Sequence, residues 1–181
     1  MVICLSVITG GTLAFFTAED TARNVITSGG IGVSIVEQQL VGGELQPYPG
    51  DPIAMMPAQS VSKIVSVQNL QNAAWVRAKY AVKVLAADGS VMDIPEEELK
   101  NVIVITPDEG MWTLRDGWWY YADALQSGET TAPLFDTVAF SGEDMDNRYQ
   151  NCTVTVDVTA QAVQQVHNGG SVDEAAGWPA N

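Results

Sequence analysis

The sequence has very little of what metal and nucleophilic sites are built from, with one histidine and two cysteines among 181 residues. A zinc peptidase needs two or three imidazole or carboxylate ligands that converge on the metal, usually with a glutamate as base. His167 is the one imidazole, and neither an H-E-x-x-H nor a G-x-S-x-G motif occurs. We therefore expect no catalytic residue, no metal site and no cofactor, and we interpret His167 as a solvated loop residue.

The scarcity of cysteine excludes a disulfide framework and a cysteine-based zinc site. Cys4 lies in an N-terminal stretch that is expected to be removed, which leaves Cys152 alone. Cys152 has the same parity as Val154, Val156 and Val158, and no activating partner is near it in sequence. The pattern therefore predicts a small buried hydrophobic residue and not a reactive thiol.

Basic residues are also few, with 8 lysines and arginines against 22 aspartates and glutamates, for a formal net charge of -14. Phosphate binding needs clustered positive charge, and only Arg77, Lys79 and Lys83 share a neighbourhood. This balance argues against nucleic acid and anionic lipid as partners. It suits a protein that stays soluble outside the cell.

No apolar run approaches the roughly 20 residues that a membrane-spanning helix requires, so we expect no stable membrane span. The first 14 residues carry no charge, and Thr12 and Ala14 place small residues at positions −3 and −1 of a cleavage site before Phe15. We interpret residues 1–14 as a signal peptide, truncated or atypical because no basic residue precedes its apolar run. The alternative is a buried first strand.

The rest of the chain alternates apolar and polar residues in short segments that are separated by turn residues. The clearest segment is Trp75 to Leu85, and others are Ile31 to Ile35, Val61 to Val67, Val102 to Thr106, Leu134 to Phe140 and Thr153 to Val163. Seven to nine such strands with little helix predict an all-β, antiparallel β-sandwich. We expect an N-terminal arm over 15–30, one sandwich domain over 31–168 and a flexible, Gly-rich tail over 169–181.

Local patterns add further expectations. The Gly- and Pro-rich stretch from Gly42 to Pro57 predicts a loop, and Pro95 to Lys100 predicts a short helix. Lys63 shares a face with valines, which argues for a strand end or an edge. The face of Trp75–Leu85 that carries Arg77, Lys79 and Lys83 is expected to be solvated.

Three stretches carry a family resemblance. They are GGTLAFFTAEDTARNVITSGGIGVSIVE (Gly10 to Glu37), GWWYYADALQSGETTAPLF (Gly117 to Phe135) and NRYQNCTVTVDVTAQAVQ (Asn147 to Gln164). The first resembles the N-terminus of the TasA/camelysin family of exported bacterial matrix proteins. The second is similar to that family's aromatic–Tyr–Gly-Glu-Thr-Thr–Leu-Phe segment, and the third to its final strand.

The resemblance implies a jelly-roll form of the sandwich and a secreted subunit of extracellular matrix fibres, assembled by donor-strand exchange. It implies assembly through Phe15, Phe16, Val25 and Ile26 of the arm. The expected partners are other copies of the chain, an accessory matrix subunit and a dedicated signal peptidase. Because part of the family is described as camelysin-type peptidases, the alternative function is a camelysin-like cell-surface endopeptidase, although the single histidine does not support that activity.

Five aromatic residues cluster in a hairpin that Asp116-Gly117 predicts: Trp112, Trp118, Trp119, Tyr120 and Tyr121. Aromatics on both faces of a hairpin cannot all enter one core. They are candidate interface residues, and the alternatives are two-sided packing or a carbohydrate platform on a monomeric, wall-associated binding module. The acidic stretch Glu143–Asn147 is interpreted as a solvated turn, with calcium binding as the alternative.

Overall fold

The computed structural model describes residues 24–25 and 31–179. The strands are β1 (Asn24–Val25), β2 (Val33–Val41), β3 (Glu44–Pro47), β4 (Ile53–Ala54), β5 (Ser60–Asn69), β6 (Ala74–Leu85), β7 (Ile103–Ile105), β8 (Trp112–Arg115), β9 (Trp118–Tyr121), β10 (Phe135–Phe140) and β11 (Thr153–Gln164). Helix α1 spans Glu96–Val102, and a short 3-10 helix spans Asn147–Tyr149.

These strands form two sheets that pack face to face. One has the order β1-β11-β6-β9-β8, with β4 also paired to β11, and the other has the order β3-β2-β5-β10-β7. The predicted all-β antiparallel sandwich is therefore confirmed, and the jelly-roll version stays a prediction. The described strands number eleven, not seven to nine, because the sequence pattern does not reveal two-residue pairings such as β1 and β4.

The longest ladder joins β6 and β11, which pair antiparallel over twelve residues from Thr153↔Leu85 to Gln164↔Ala74. Alternate residues of both strands enter the core between the sheets, as a period of two requires. The buried members include Val76, Ala78 and Val84 of β6 and Val154, Val156, Val158 and Ala160 of β11. Facing them are buried residues of the other sheet, including Val33, Ile35, Val65, Val67 and Val138.

Two local expectations need correction. The predicted loop from Gly42 to Pro57 contains β3, which pairs with β2, and β4, which pairs with β11. Lys63 lies neither at an edge nor at a strand end, because β5 is the middle strand of its sheet. The side chain of Lys63 is buried and pairs with Glu37. Lys63 therefore shares the face of the neighbouring valines because that face is buried along this part of β5.

The C-terminal residues that were expected to be flexible pack on the outer face of the β6–β9 region. Trp178 and Val172 join Trp75, Trp118 and Tyr120 in a second hydrophobic cluster. The side chain of Asn168 both donates to and accepts from the backbone of Ala176, which closes a loop in this segment.

This segment also changes the environment of the charged face of β6. Arg77 is only 8% exposed, so the expectation of a solvated face is wrong at this position. Its guanidinium donates to Gln161 Oε1, Tyr120 Oη and the carbonyl of Pro179. The C-terminal segment that covers Arg77 lies about a hundred residues further along the chain. The alternation of residues within β6 therefore cannot predict that Arg77 is buried.

Candidate assembly site

Strand β11 is paired by described strands along its whole length at only one of its two edges. The inner edge of β11 pairs with β6 along its whole length. At the other edge, which we call the outer edge, β4 pairs with Thr153 and Val154, and β1 pairs in parallel with Thr159 and Ala160. No described strand pairs with the outer side of the four residues from Thr155 to Val158.

The backbone geometry shows which groups this gap exposes. Met55 N–H donates to the carbonyl of Cys152 on the outer side. Because backbone groups alternate in direction along a strand, Val156 and Val158 direct their N–H and C=O groups to that same side. The gap is about 13 Å long at about 3.3 Å per residue, which is room for a four-residue strand.

A groove of about 260 Å³ lies directly beneath this gap, and we call it the edge groove. Its floor and walls come from both sheets and from the loop before β4. The lining includes Ile35, Glu37, Tyr48, Asp51, Lys63 and the stretch from Val154 to Val158. The groove is therefore the place where the sandwich opens beside an incompletely paired edge.

An ion pair occupies the inner wall of the edge groove. Lys63 Nζ lies 2.9 Å from Glu37 Oε1, and both residues project inward from neighbouring strands. The ring of Tyr48 covers the ammonium at 4.0 Å from its centroid. A buried lysine needs such a partner because an unpaired charge in the interior is costly.

Three acidic residues line the edge groove, and two of them have basic partners. Glu37 pairs with Lys63, and Asp157 pairs with Lys83 at 2.6 Å on the outer face of the sheet, while Asp51 lies in the exposed loop before β4. Burial, then the negative charges of Glu37 and Asp51, raise the pKa of Tyr48 above its usual value.

The residues assigned to the arm and to cleavage lie mostly outside the described residues. Thr12, Ala14, Phe15, Phe16 and Ile26 belong to that part of the chain, so these assignments stay predictions. Val25 is within β1, whose backbone pairs with β11.

The aromatic hairpin is formed as expected, with Asp116 and Gly117 at positive φ in the turn between β8 and β9. Its side chains divide between the two faces of the sheet. Trp112 and Tyr121 are buried in the main core, and Trp119 packs against that core. The indole of Trp112 donates to the carbonyl of Ala132.

The other two hairpin aromatics, Trp118 and Tyr120, face the opposite side and lie under the C-terminal segment. Arg77 Cζ lies 4.3 Å from the ring centroid of Trp118 and 4.8 Å from that of Trp178. Tyr120 meets Trp178 edge to face at 5.4 Å. Four of the five aromatics are therefore no more than 9% exposed, and the chain itself supplies their cover.

Cys152 and His167 lie in different environments. The Cys152 thiol is buried, 3.5 Å from both Met92 Sδ and the carbonyl of Arg148, as its parity predicts. His167 is exposed in a loop at a positive φ of 60°. Within residues 24–25 and 31–179, no three histidine, cysteine or acidic side chains are grouped so that they could hold a metal ion.

Comparisons with known proteins return no match among family models, curated proteins or solved structures. Within the described part of the chain, no helix has the length and apolar character needed to cross a membrane.

Sequence reasoning missed the edge groove, although one signal was present. Glu37 continues the inward parity of Val33 and Ile35, and Lys63 shares its parity with Val65 and Val67. Opposite charges on the apolar faces of two strands predict a buried ion pair if the two strands are neighbours in a sheet. The sequence does not show that β2 and β5 are neighbours, and only the sheet order does.

Proposed function

We propose that this chain is an exported structural subunit that assembles into extracellular, biofilm-matrix fibres by donation of its N-terminal arm as a strand. The observation that supports this most directly is the outer edge of β11. This edge pairs with β4 at Thr153 and Val154 and with Asn24 and Val25 of the arm at Thr159 and Ala160, and no described strand pairs with its other residues. The family resemblance of three sequence blocks points to the same function.

An open edge of this kind favours strand addition. Unpaired backbone groups on an edge pair readily with an extended segment, whose main chain supplies hydrogen bonds while alternate side chains fill pockets. The gap at Thr155 to Val158 offers such groups, and the edge groove offers space for side chains. These are the two elements that a donor-strand site needs.

The register of β1 limits what a chain can do with its own arm. Asn24 lies opposite Thr159 in a parallel pairing, so a continuous strand would place positions 20–23 opposite Thr155 to Val158. Beyond that point β4 already occupies Thr153 and Val154. The chain's own edge therefore has room for four more arm residues, and Phe15 and Phe16 fall outside it.

The two phenylalanines need a receiving surface. Burying one such side chain stabilises by about 2–3 kcal/mol, and a free terminus gains nothing while it stays in water. A neighbouring copy is the natural receiver, because head-to-tail donation does not close on itself and propagates as a filament. An accessory matrix subunit with a similar edge would join the same filament.

Electron microscopy of purified chain that starts at Phe15 tests the proposal. We expect fibres from this protein, and a folded monomer without fibres after deletion of residues 15–24. Phe16→Asp should also stop assembly because it places a charge where an apolar pocket is expected. Thr17→Asp is the matched control, since it adds the same charge one residue along without removing an aromatic.

Two outcomes would overturn the proposal. One is assembly of the deleted protein at the rate of the intact chain. The other is an equal effect of Phe16→Asp and Thr17→Asp, which would indicate that net charge and not the aromatic side chain controls assembly.

A further inference from the structure

We propose that Asn168-Gly169 is a modification site, at which spontaneous deamidation of Asn168 releases the C-terminal segment from the sheet. Asn168 is the one asparagine in the sequence that is followed by glycine. Deamidation is fast at this dipeptide because glycine has no side chain to hinder attack by its backbone nitrogen on the asparagine amide. The inference concerns residues 165–179 and does not depend on the proposed assembly into fibres.

The fold requires glycine at position 169. Its φ is +83°, in the left-handed region that favours glycine. A Cβ atom at this position would lie 2.7 Å from Cβ of Glu174, which is too close for two carbon atoms. The turn therefore excludes a bulkier residue that would slow the reaction at Asn168.

The side chain of Asn168 joins the two ends of this turn. Its Nδ2 donates to the carbonyl of Ala176 at 3.0 Å, and its Oδ1 accepts from the N–H of Ala176 at 2.9 Å. The backbone carbonyl of Asn168 accepts from Trp75 Nε1 at 3.1 Å, which attaches the turn to β6. One residue thus connects the segment both to itself and to the sheet.

The reaction consumes one water molecule and releases ammonia. The backbone nitrogen of Gly169 forms a bond to Cγ of Asn168, the bond from Cγ to Nδ2 breaks, and ammonia leaves with the proton of that backbone nitrogen. Water then opens the cyclic imide at one of its two carbonyl carbons and returns a proton to the nitrogen. The product is aspartate, or isoaspartate if the main chain continues through Cγ.

Each product removes a contact that holds the segment. Aspartate has no Nδ2 donor, so a carboxylate oxygen faces the carbonyl of Ala176 and two acceptors meet. The new negative charge also lies close to Glu174, whose carboxylate accepts from the N–H of Gly170 at 2.8 Å. Isoaspartate lengthens the main chain by one carbon, so the turn no longer aligns with both Trp75 and Ala176.

Release of the segment uncovers an aromatic and cationic surface on β6 and β9. In the closed form, Trp178 meets Tyr120 edge to face at 5.4 Å, and its ring centroid lies 4.8 Å from Arg77 Cζ. The carbonyl of Pro179 accepts from the same guanidinium. Deamidation therefore exposes Arg77 and the ring of Tyr120 permanently, because water does not restore the amide.

Ageing of the purified protein at mildly alkaline pH, followed by peptide mass spectrometry, tests the site. We expect the amide-to-acid mass gain to accumulate at Asn168 at least about threefold faster than at Asn147, which is exposed and precedes arginine. Trp178→Ala should speed the reaction at Asn168 further, since the amide must leave Ala176 before it can react. Equal rates at Asn168 and Asn147 overturn the proposal.

Digestion with a glutamyl endopeptidase, which cleaves after Glu174, tests the release. In the aged sample, the acid form of residue 168 should be cut there at least about threefold faster than the amide form, because cleavage follows the population of the open form. Equal cleavage of the two forms overturns the proposal.

Freshly purified Asn168→Asp should reproduce the faster cleavage after Glu174. Asn147→Asp is the matched control, because it makes the same chemical change at an exposed residue outside the segment, and it should leave the cleavage rate unchanged. Circular dichroism before digestion shows whether the sandwich of each variant is folded. If both folded variants are cut alike, Asn168 does not hold the segment.

Discussion

At the scale of single residues, two buried basic side chains of this sandwich are stabilised by specific partners. Arg77 is an example, because its guanidinium donates to a side-chain amide, a phenol and a backbone carbonyl. Lys63 is another, with a carboxylate on one side and an aromatic ring on another. Buried polar groups without such partners would destabilise the fold.

The Lys63–Glu37 pair leads to a prediction about stability. Glu37→Ala leaves an ammonium buried without its carboxylate, and we expect a loss of about 2 kcal/mol in the free energy of unfolding, less than for a fully buried pair because Glu37 retains some solvent contact. Lys63→Met removes the charge along with its desolvation cost, so its effect should be smaller. Urea unfolding of the two variants measures both, and equal losses would contradict this account.

Tyr149 leads to a prediction about pH. Burial, followed by the hydrogen bond to Glu98, raises the pKa of Tyr149 to about 12 from 10.0. Because the folded state favours the protonated phenol, its contribution to stability is complete below the unfolded pKa of 10.0 and is lost as pH rises through about 12.

Urea unfolding at several pH values between about 9 and 11 tests this. The unmodified protein should lose more stability across that range than Tyr149→Phe, which has no phenol to titrate. A Tyr149→Phe variant with the same pH slope as the unmodified protein would show that other groups cause the loss.

At the scale of elements, the sequence predicts the pairing of strands that are close together in the chain better than the pairing of strands that are far apart. The β8–β9 hairpin closes through two residues, and Asp116-Gly117 is a recognised turn pair. Strand β4 has only two residues, and its partner on β11 lies about a hundred residues further along the chain. Nothing in the Gly- and Pro-rich sequence around β4 indicates that partner.

The C-terminal segment after β11 packs on the sheet without forming a helix or strand, and Trp178 makes its aromatic contacts with the sheet. We expect Trp178→Ala to lower the free energy of unfolding by about 1–2 kcal/mol, because it removes both an aromatic contact and a cation–π contact with Arg77. It should also speed proteolysis after Gln164. Limited proteolysis and urea unfolding measure these effects.

Val166→Ala is the control, since Val166 is 49% exposed and its truncation should change stability by less than about 0.5 kcal/mol. If Trp178→Ala changes neither the proteolysis rate nor the unfolding free energy, the segment is not anchored by its indole.

At the scale of the whole molecule, no described strand pairs with part of the outer edge of β11, and four of the five hairpin aromatics are buried by the chain itself. This arrangement favours recognition by main-chain pairing at β11 over recognition by an aromatic surface. The strongly acidic composition opposes unspecific association between copies. Under the proposed function, assembly would then depend on the N-terminal arm.

Export gives the prediction at this scale. The small residues Thr12 and Ala14 predict that secreted protein begins at Phe15. N-terminal sequencing of extracellular material is the measurement, and we expect Phe-Phe-Thr-Ala as its first residues. Recovery of extracellular protein with an intact Met1 would contradict both the cleavage site and the free aromatic terminus.

The sequence by itself determined the strand character of this protein. Alternation in Trp75–Leu85 and Thr153–Val163 predicted β6 and β11 to within a residue or two, because a period of two is a local property of a half-buried strand. Composition and turn residues likewise predicted the short helix α1 and the β8–β9 hairpin.

Only the tertiary structure decided which faces are covered and which described strands pair along each edge. The burial of Arg77, the meeting of Lys63 with Glu37 and the gap between β4 and β1 all depend on segments that are far apart in sequence. The alternation of apolar and polar residues predicts that a segment is a strand with two different faces. What lies against each of them follows from the order of strands in the sheets, and that order is set by packing over the whole chain.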